Sequence, residues 1–123
     1  MKYNPISEPL PGEWLSLPEA ERLDSVVDYH KVHGGFGENL RMHAVIHVVV
    51  ENQIAAGEPP VVAQTLRRLT REGLSRHDAV HAVGSVLAES IFPLLKGSQA
   101  EFDEAAYVSA LSSLTAKGWR AGE

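Results

Sequence analysis

The chain has 123 residues and a formal net charge of −5, and its 44% hydrophobic and 22% charged residues are ordinary for one soluble globular domain. The acidic balance argues against a nucleic-acid partner, because binding phosphates requires a basic patch. The sequence contains no cysteine, which excludes disulfides, thiol nucleophiles, iron–sulfur clusters and cysteine-based zinc sites. Any metal would therefore have to be held by imidazole, carboxylate or water.

Two features of the sequence bear on localisation. The N-terminal residues Met1–Pro5 are not followed by an apolar run of the kind that a signal peptide contains. The longest apolar run, from Val45 to Val50, is interrupted by His47 and is far shorter than a membrane span. We therefore predict a cytoplasmic protein that has no membrane partner and no nucleic-acid partner.

The N-terminal segment is rich in residues that oppose helix formation. Pro5, Pro9 and Pro11 predict an extended arm over residues 1–15. A capping box is predicted next, in which Ser16 accepts a hydrogen bond from the backbone of Glu19. Apolar positions at helical spacing follow and predict a first helix over 17–32, which ends before two glycines.

Four further helices are predicted from apolar periodicity and from residues typical of helix ends. Their expected ranges are 39–56, 60–73, 75 to about 93, and 103–118. No segment shows the alternation of a strand bounded by hairpin turns. The sequence thus predicts an all-α fold for residues 1–123. We expect a single-domain bundle of about five helices, with a helical core over 16–118 and an extended N-terminal arm.

Two His-x-x-x-His pairs are the main chemical feature of the sequence. His43 and His47 lie in the second predicted helix, and His77 and His81 lie in the fourth. A spacing of four residues is about one helical turn, so each pair occupies one side of its helix. Glu51 continues the stripe of the first pair.

A buried imidazole needs a partner for its polar nitrogens, so two such pairs among apolar residues suggest a shared ligand. Short links around the third helix predict up-down-up packing, in which the second and fourth helices run roughly parallel. Both pairs would then meet at the same height. We predict a metal site built from these residues: His43, His47, His77, His81 and Glu51. Imidazoles with one carboxylate suit a divalent transition metal such as zinc, iron, nickel or cobalt.

Other interpretations of the histidines remain open. Each pair is also compatible with a set of hydrogen-bonded core or interface histidines and no metal. His30 and His33 stand beside a Gly-Gly turn, and we expect them to be surface or cap residues, although one of them could turn inward as a ligand. Zinc peptidases need a Glu directly after the first histidine, whereas Ala44 and Asp78 occupy those positions. Peptidase activity is therefore disfavoured.

Three stretches of the chain resemble a family of small bacterial all-helical proteins of unknown function that carry two His-x-x-x-His motifs. They are Asn39–His47 with the Pro59-Pro60 that follows, Arg76–His81, and Asp103–Tyr107. The resemblance implies the helical fold and implies that both histidine pairs belong to one site. It supplies no reaction.

Three functions are compatible with these features. The first is an uncharacterised metal-binding helical protein. The second is a metal-dependent hydrolase or a di-metal oxygen-reactive enzyme that uses an open coordination position. The third is a protein-interaction domain with buried histidines and no metal, in which Trp14 or Trp119 docks a partner that the sequence does not identify. A homodimer is compatible with all three, and the sequence leaves open whether the protein is an enzyme.

Overall fold

The computed structural model describes residues 2–35, 39–98 and 101–122. In these ranges the chain forms α-helices and no strand, which confirms the all-α prediction. The helices are α1 (Pro11–Ser16), α2 (Glu19–His33), α3 (Leu40–Ala56), α4 (Pro60–Arg71), α5 (Arg76–Leu95), α6 (Glu104–Ser113) and α7 (Ala116–Ala121). The described residues thus contain seven helices where the sequence predicts about five.

One of the two additional helices lies in the segment predicted to be an extended arm. α1 begins at Pro11, because proline suits the first position of a helix, where its missing N–H has no partner to lose. Its Trp14 is fully buried and donates a hydrogen bond from Nε1 to Asn52 Oδ1 at 2.8 Å. Ser16 is the last residue of α1 and donates to the Glu13 carbonyl. The predicted Ser16 capping box is therefore wrong.

The other additional helix arises because the predicted helix over 103–118 is divided in two. Leu114 adopts an extended backbone, with ψ of 133°, and ends α6. Thr115 then caps α7 by accepting a hydrogen bond from the backbone N–H of Gly118. Threonine favours this position because its side chain can replace the missing helical acceptor.

The other predicted helix ends agree with the structure to within two residues. α5 continues past Pro93, which lies inside the helix, to Leu95. The side chains of Asn39, Ser75 and Asp103 each accept a hydrogen bond from the backbone N–H three residues later. Gly57 ends α3 in the left-handed conformation with φ of 70°. These signals are local, and the local sequence is sufficient to predict them.

Two apolar clusters stabilise the fold, and α3 contributes to both. The larger lies among α3, α4, α5 and α6, and it includes Val50, Leu69, Val83 and Leu111. The smaller joins α1, α2 and the N-terminal segment to α3, and it contains these buried residues: Tyr3, Trp14, Val26, Ala44 and Val48. α3 is therefore the central helix, and its polar residues lie between two packed regions.

α3 and α5 run in opposite directions. Glu51 contacts Arg76, His47 contacts His81, and a Cβ on Gly84 would lie 2.9 Å from Ile46 Cγ2, so residue numbers rise along one helix as they fall along the other. The predicted parallel arrangement is wrong. The prediction assumed that the chain reverses direction both before and after α4, which would return α5 to the direction of α3. In the structure the two links together produce one net reversal, so α5 is antiparallel to α3.

α5 is the one described helix long and apolar enough to cross a membrane by length and composition. It packs against α3, α4 and α6, and the apolar helix at the centre of a soluble protein has the same composition. The composition of α5 is thus weak evidence for a membrane span.

Candidate metal centre

Five imidazole rings converge where α2, α3 and α5 meet. α2 supplies His30, α3 supplies His43 and His47, and α5 supplies His77 and His81. Four of these rings form a compact set, in which one ring nitrogen of each lies within 4.8 Å of a ring nitrogen of every other. The compact set consists of His30, His47, His77 and His81. The fifth ring, His43, lies beside them, with its Nε2 3.1 Å from His30 Nε2. We call these five residues the histidine cluster.

The structure brings together all four histidines of the predicted site and adds His30. His30 is fully buried, so the expectation that it is a surface or cap residue is wrong. The sequence carries a signal for it, because His30 continues the apolar stripe of α2 four residues after the buried Val26. His33 is exposed, as expected, and its ring stacks on Tyr29 with a centroid distance of 4.1 Å.

The hydrogen bonds of His30 determine which of its nitrogens carries the proton. Its Nδ1 lies 2.9 Å from the carbonyl oxygen of Val26. A carbonyl only accepts, so Nδ1 donates and carries the hydrogen of the neutral ring. The lone pair of His30 is therefore on Nε2, which lies toward His43.

His47 is oriented by a chain of three hydrogen-bonded groups. Its Nδ1 lies 3.1 Å from the Tyr3 hydroxyl, and that hydroxyl donates to Glu51 Oε2. Since the only hydroxyl proton is used there, His47 Nδ1 must donate to the Tyr3 oxygen. The Nε2 of His47 is left with a free lone pair, 2.9 Å from His81 Nε2. Such outer contacts typically fix the tautomer of a metal-binding histidine.

Glu51 lies in this chain, where both of its carboxylate oxygens are engaged. Arg76 donates to Oε1 at 2.8 Å and to Oε2 at 2.9 Å, in a bidentate pair. Glu51 is 1% exposed, and Arg76 also donates to the Pro5 carbonyl at 2.9 Å. The ion pair thus connects α3, α5 and the N-terminal segment.

Tyr3, like Arg76, is a residue of this network that the sequence analysis does not predict. It lies in a proline-rich segment without helical periodicity, 44 residues from His47 in the chain. It is 2% exposed, and its ring packs near Trp14 and Tyr29. Burial, followed by the charge of Glu51, raises the pKa of Tyr3 well above its usual value. The phenol therefore remains protonated and continues to donate to the carboxylate.

Burial keeps the five rings neutral. Burial and the neighbouring rings lower the pKa of His43 to about 4 and that of His81 to about 3. Burial is also the main cause that lowers the pKa of His30, His47 and His77. A neutral imidazole has the free lone pair that coordination requires.

The separations between the ring nitrogens are compatible with one metal ion. Metal–imidazole bonds of about 2.0–2.1 Å put neighbouring nitrogens about 3.3 Å apart in a tetrahedral site and about 2.9 Å apart in an octahedral one. The observed Nε2–Nε2 separation of His47 and His81, two of the four histidines of the compact set, is 2.9 Å. The nitrogens of all four rings lie within 4.8 Å of one another, so the farthest pair would have to approach by up to about 1.5 Å in a tetrahedral site.

A cleft of about 510 Å³ opens beside the histidine cluster, between α3 and α5. Its walls carry three of the cluster histidines, several apolar side chains and two small polar residues. The lining residues are Asn39, Met42, His43, Ile46, His47, Val80, His81, Gly84, Ser85 and Ala88. We call this space the α3–α5 cleft.

Fold and site together define a small all-helical protein with clustered histidines where three helices meet. The chain belongs to the family described as a domain of unknown function, DUF1841, whose model matches residues 17–113. The matched range contains the whole histidine cluster, and Tyr3 precedes it. No curated protein and no solved structure matches the chain.

Proposed function

We propose that this protein binds one divalent transition metal ion through His30, His47, His77 and His81. The observation that carries the proposal is the convergence of four neutral imidazoles from three helices, with ring nitrogens within 4.8 Å of one another. Imidazole donors favour zinc, nickel, cobalt or iron, whereas magnesium and calcium prefer oxygen ligands.

Glu51 takes the role of a positioning residue in this proposal, although the sequence suggests it as a ligand. Its two oxygens are already occupied by Arg76 and Tyr3. Through the Tyr3 hydroxyl it holds His47 Nδ1 in the protonated form, so that Nε2 is available to the ion. Carboxylates commonly orient metal-binding histidines in this way.

The competing interpretation is a hydrogen-bonded set of buried histidines without a metal. The contacts of His43 with His30 and of His81 with His47 are compatible with it. His77 favours the metal, because its Nε2 is buried and has no hydrogen-bond partner in the described part of the chain. A buried polar atom without a partner costs about 1–3 kcal/mol, which a coordinate bond would offset.

Elemental analysis of protein purified without a histidine tag tests the proposal. We expect about one equivalent of metal for the natural chain and loss of that metal in His47→Ala and in His81→Ala. His30→Ala should lose the metal as well, because His30 is a ligand in the proposed set. Retained metal in this variant would instead favour the site predicted from the two His-x-x-x-His pairs. His33→Ala is the matched control, since His33 is exposed beside the cluster, and it should retain the metal.

Two results would overturn the proposal. One is the absence of stoichiometric metal together with an unchanged thermal midpoint on chelation, which would favour the interaction-domain interpretation. The other is a full equivalent of metal in both His47→Ala and His81→Ala, which would place the metal elsewhere. Circular dichroism of each variant shows whether the helices have formed.

A further inference from the structure

We infer that the α3–α5 cleft binds a small monocarboxylate with an apolar tail, whose carboxylate coordinates the metal ion. This inference rests on the proposed metal site and names its ligand class. Three observations support it: the charge of the donor set, the position of His43, and the apolar walls of the cleft.

The charge of the site favours an anionic ligand. Four neutral imidazoles leave the full charge of a divalent ion uncompensated. Glu51 is already neutralised by its bidentate pair with Arg76. The carboxylate of Asp78, whose charge acts on His77, is exposed to solvent and therefore screened. In a partly buried site an uncompensated charge is unfavourable, so an anion is the preferred additional ligand.

His43 supplies a hydrogen-bond donor at the same place. Its Nε2 lies 3.1 Å from His30 Nε2, the nitrogen of that ring that carries the lone pair. An ion bound at His30 would use that lone pair, so the Nε2–H of His43 would lose its acceptor. His43 also lines the cleft, where its freed N–H can donate to an oxygen of a metal-bound carboxylate.

The rest of the cleft is suited to an apolar group. Met42, Ile46, Val80 and Ala88 line its walls, and none of the described residues that line the cleft carries a formal charge. Gly84 lies where α3 and α5 approach closely, so that an added Cβ would meet Ile46. A carboxylate with a short aliphatic or aromatic tail therefore matches both the metal end and the wall of the cleft.

Cobalt-substituted protein tests this inference, because the visible spectrum of Co²⁺ reports a new ligand directly. The full chain is loaded with Co²⁺ and titrated with acetate, butyrate, hexanoate and octanoate. Burial of each methylene should tighten binding about threefold to fourfold. Hexanol and hexylammonium, which have the same tail and no carboxylate, are the control ligands and should leave the spectrum unchanged.

Two cleft variants locate the tail. Ala88→Trp fills the cleft from an exposed position, and Met42→Glu adds a repelling charge to its wall. Ala88→Trp should weaken hexanoate binding about tenfold, by removing room for about two methylenes. Met42→Glu should also weaken hexanoate binding, because its carboxylate repels the anionic ligand. Acetate affinity should change less than about threefold in Ala88→Trp. Ala110→Trp, at an exposed position of α6 outside the cleft, is the matched control.

The outcomes separate the two proposals. Failure to bind Co²⁺ overturns the metal site and this inference with it. Stoichiometric Co²⁺ with no spectral response to hexanoate overturns this inference alone. It is also overturned if affinity is the same for acetate and octanoate, or if neither cleft variant weakens hexanoate binding. Retained Co²⁺ with chain-length dependence that both cleft variants reduce supports it.

Discussion

The two faces of α5 present opposite chemistry to the rest of the molecule. One face carries Ala79, Val83 and Leu87, all buried in the larger apolar cluster. The other carries His77 and His81 to the histidine cluster. The apolar face contributes to stability by leaving water and needs no specific partner. The histidine face buries polar nitrogens, each of which depends on a partner in a defined direction.

This difference indicates which part of the protein provides stability and which part provides function. Apolar residues of similar volume can often replace each other in a core with a small loss of stability. The histidine face depends on Tyr3, Glu51 and Arg76, whose hydrogen bonds connect three parts of the chain. Burying several rings that must remain neutral is unfavourable unless a ligand binds them. The following predictions test that contrast, from the largest expected effect to the smallest.

Acidification should produce the largest effect, because it acts on all five rings of the histidine cluster. In the unfolded chain each histidine takes up a proton near pH 6.5. In the folded protein the pKa of His43 is lowered to about 4 and that of His81 to about 3. The unfolded state therefore binds more protons below pH 6.5, and the free energy of unfolding of metal-free protein should fall as the pH drops from about 6.5 toward 3.

Urea titrations between pH 8 and pH 4 in the presence of a chelator measure this fall. His81→Leu should reduce the slope of stability against pH, because it removes one of the rings whose pKa is lowered most. A free energy of unfolding that does not change between pH 7 and pH 4.5 would show that the rings are not held neutral.

Breaking the ion pair that supports the histidine face should give the next largest effect. Arg76→Leu leaves the Glu51 carboxylate, which is 1% exposed, without its bidentate partner. We expect a loss of about 3–5 kcal/mol in the free energy of unfolding, measured by urea titration. The double variant Glu51→Leu, Arg76→Leu should lose less, because it leaves no buried charge. If the single and double variants are equally destabilised, the charge of Glu51 is not the cause.

The sequence predicts the histidines of the cluster better than it predicts the hydrogen-bonded residues that orient them. Four-residue spacing identifies His43, His47, His77 and His81, because such spacing reports which residues share a side of a helix. His30 has no partner at that spacing in α2, so only its place on an apolar stripe marks it. Its burial follows from packing between helices, which a single helix does not specify.

Long-range features could not be predicted from the sequence for the same reason. The direction of α5 relative to α3 depends on how two short links turn the chain, and local residue preferences do not determine that. Tyr3 meets Glu51 across 48 residues from a segment with no periodic pattern. By contrast, the caps at Asn39, Ser75 and Asp103 involve neighbours three residues away, and the sequence predicts them correctly.

Removing one hydroxyl should reduce metal affinity without disturbing the fold. Tyr3→Phe deletes the acceptor of His47 Nδ1 and a donor to Glu51. Loss of such an outer contact typically lowers metal affinity about 10–100-fold. Competition with a coloured chelator measures the change. Tyr107→Phe is the matched control, because the Tyr107 hydroxyl donates to Gln53 at 2.8 Å, in the apolar region of the molecule. Equal metal affinity in both variants would show that Tyr3 does not orient His47.

The smallest expected effect is a gain in stability. His77→Leu removes a buried Nε2 that has no hydrogen-bond partner among the described residues, so the metal-free protein should gain about 1 kcal/mol in the free energy of unfolding. The same variant should lose the metal. Leu87→Ala on the apolar face, where the side chain is 2% exposed, should instead lose about 2–5 kcal/mol and keep the metal. If His77→Leu destabilises the metal-free protein as much as Leu87→Ala does, His77 acts as a packing residue, and the two faces of α5 do not differ in the way proposed. A stability gain combined with metal loss would mean that the natural histidine lowers the stability of the metal-free fold and that metal binding offsets this loss.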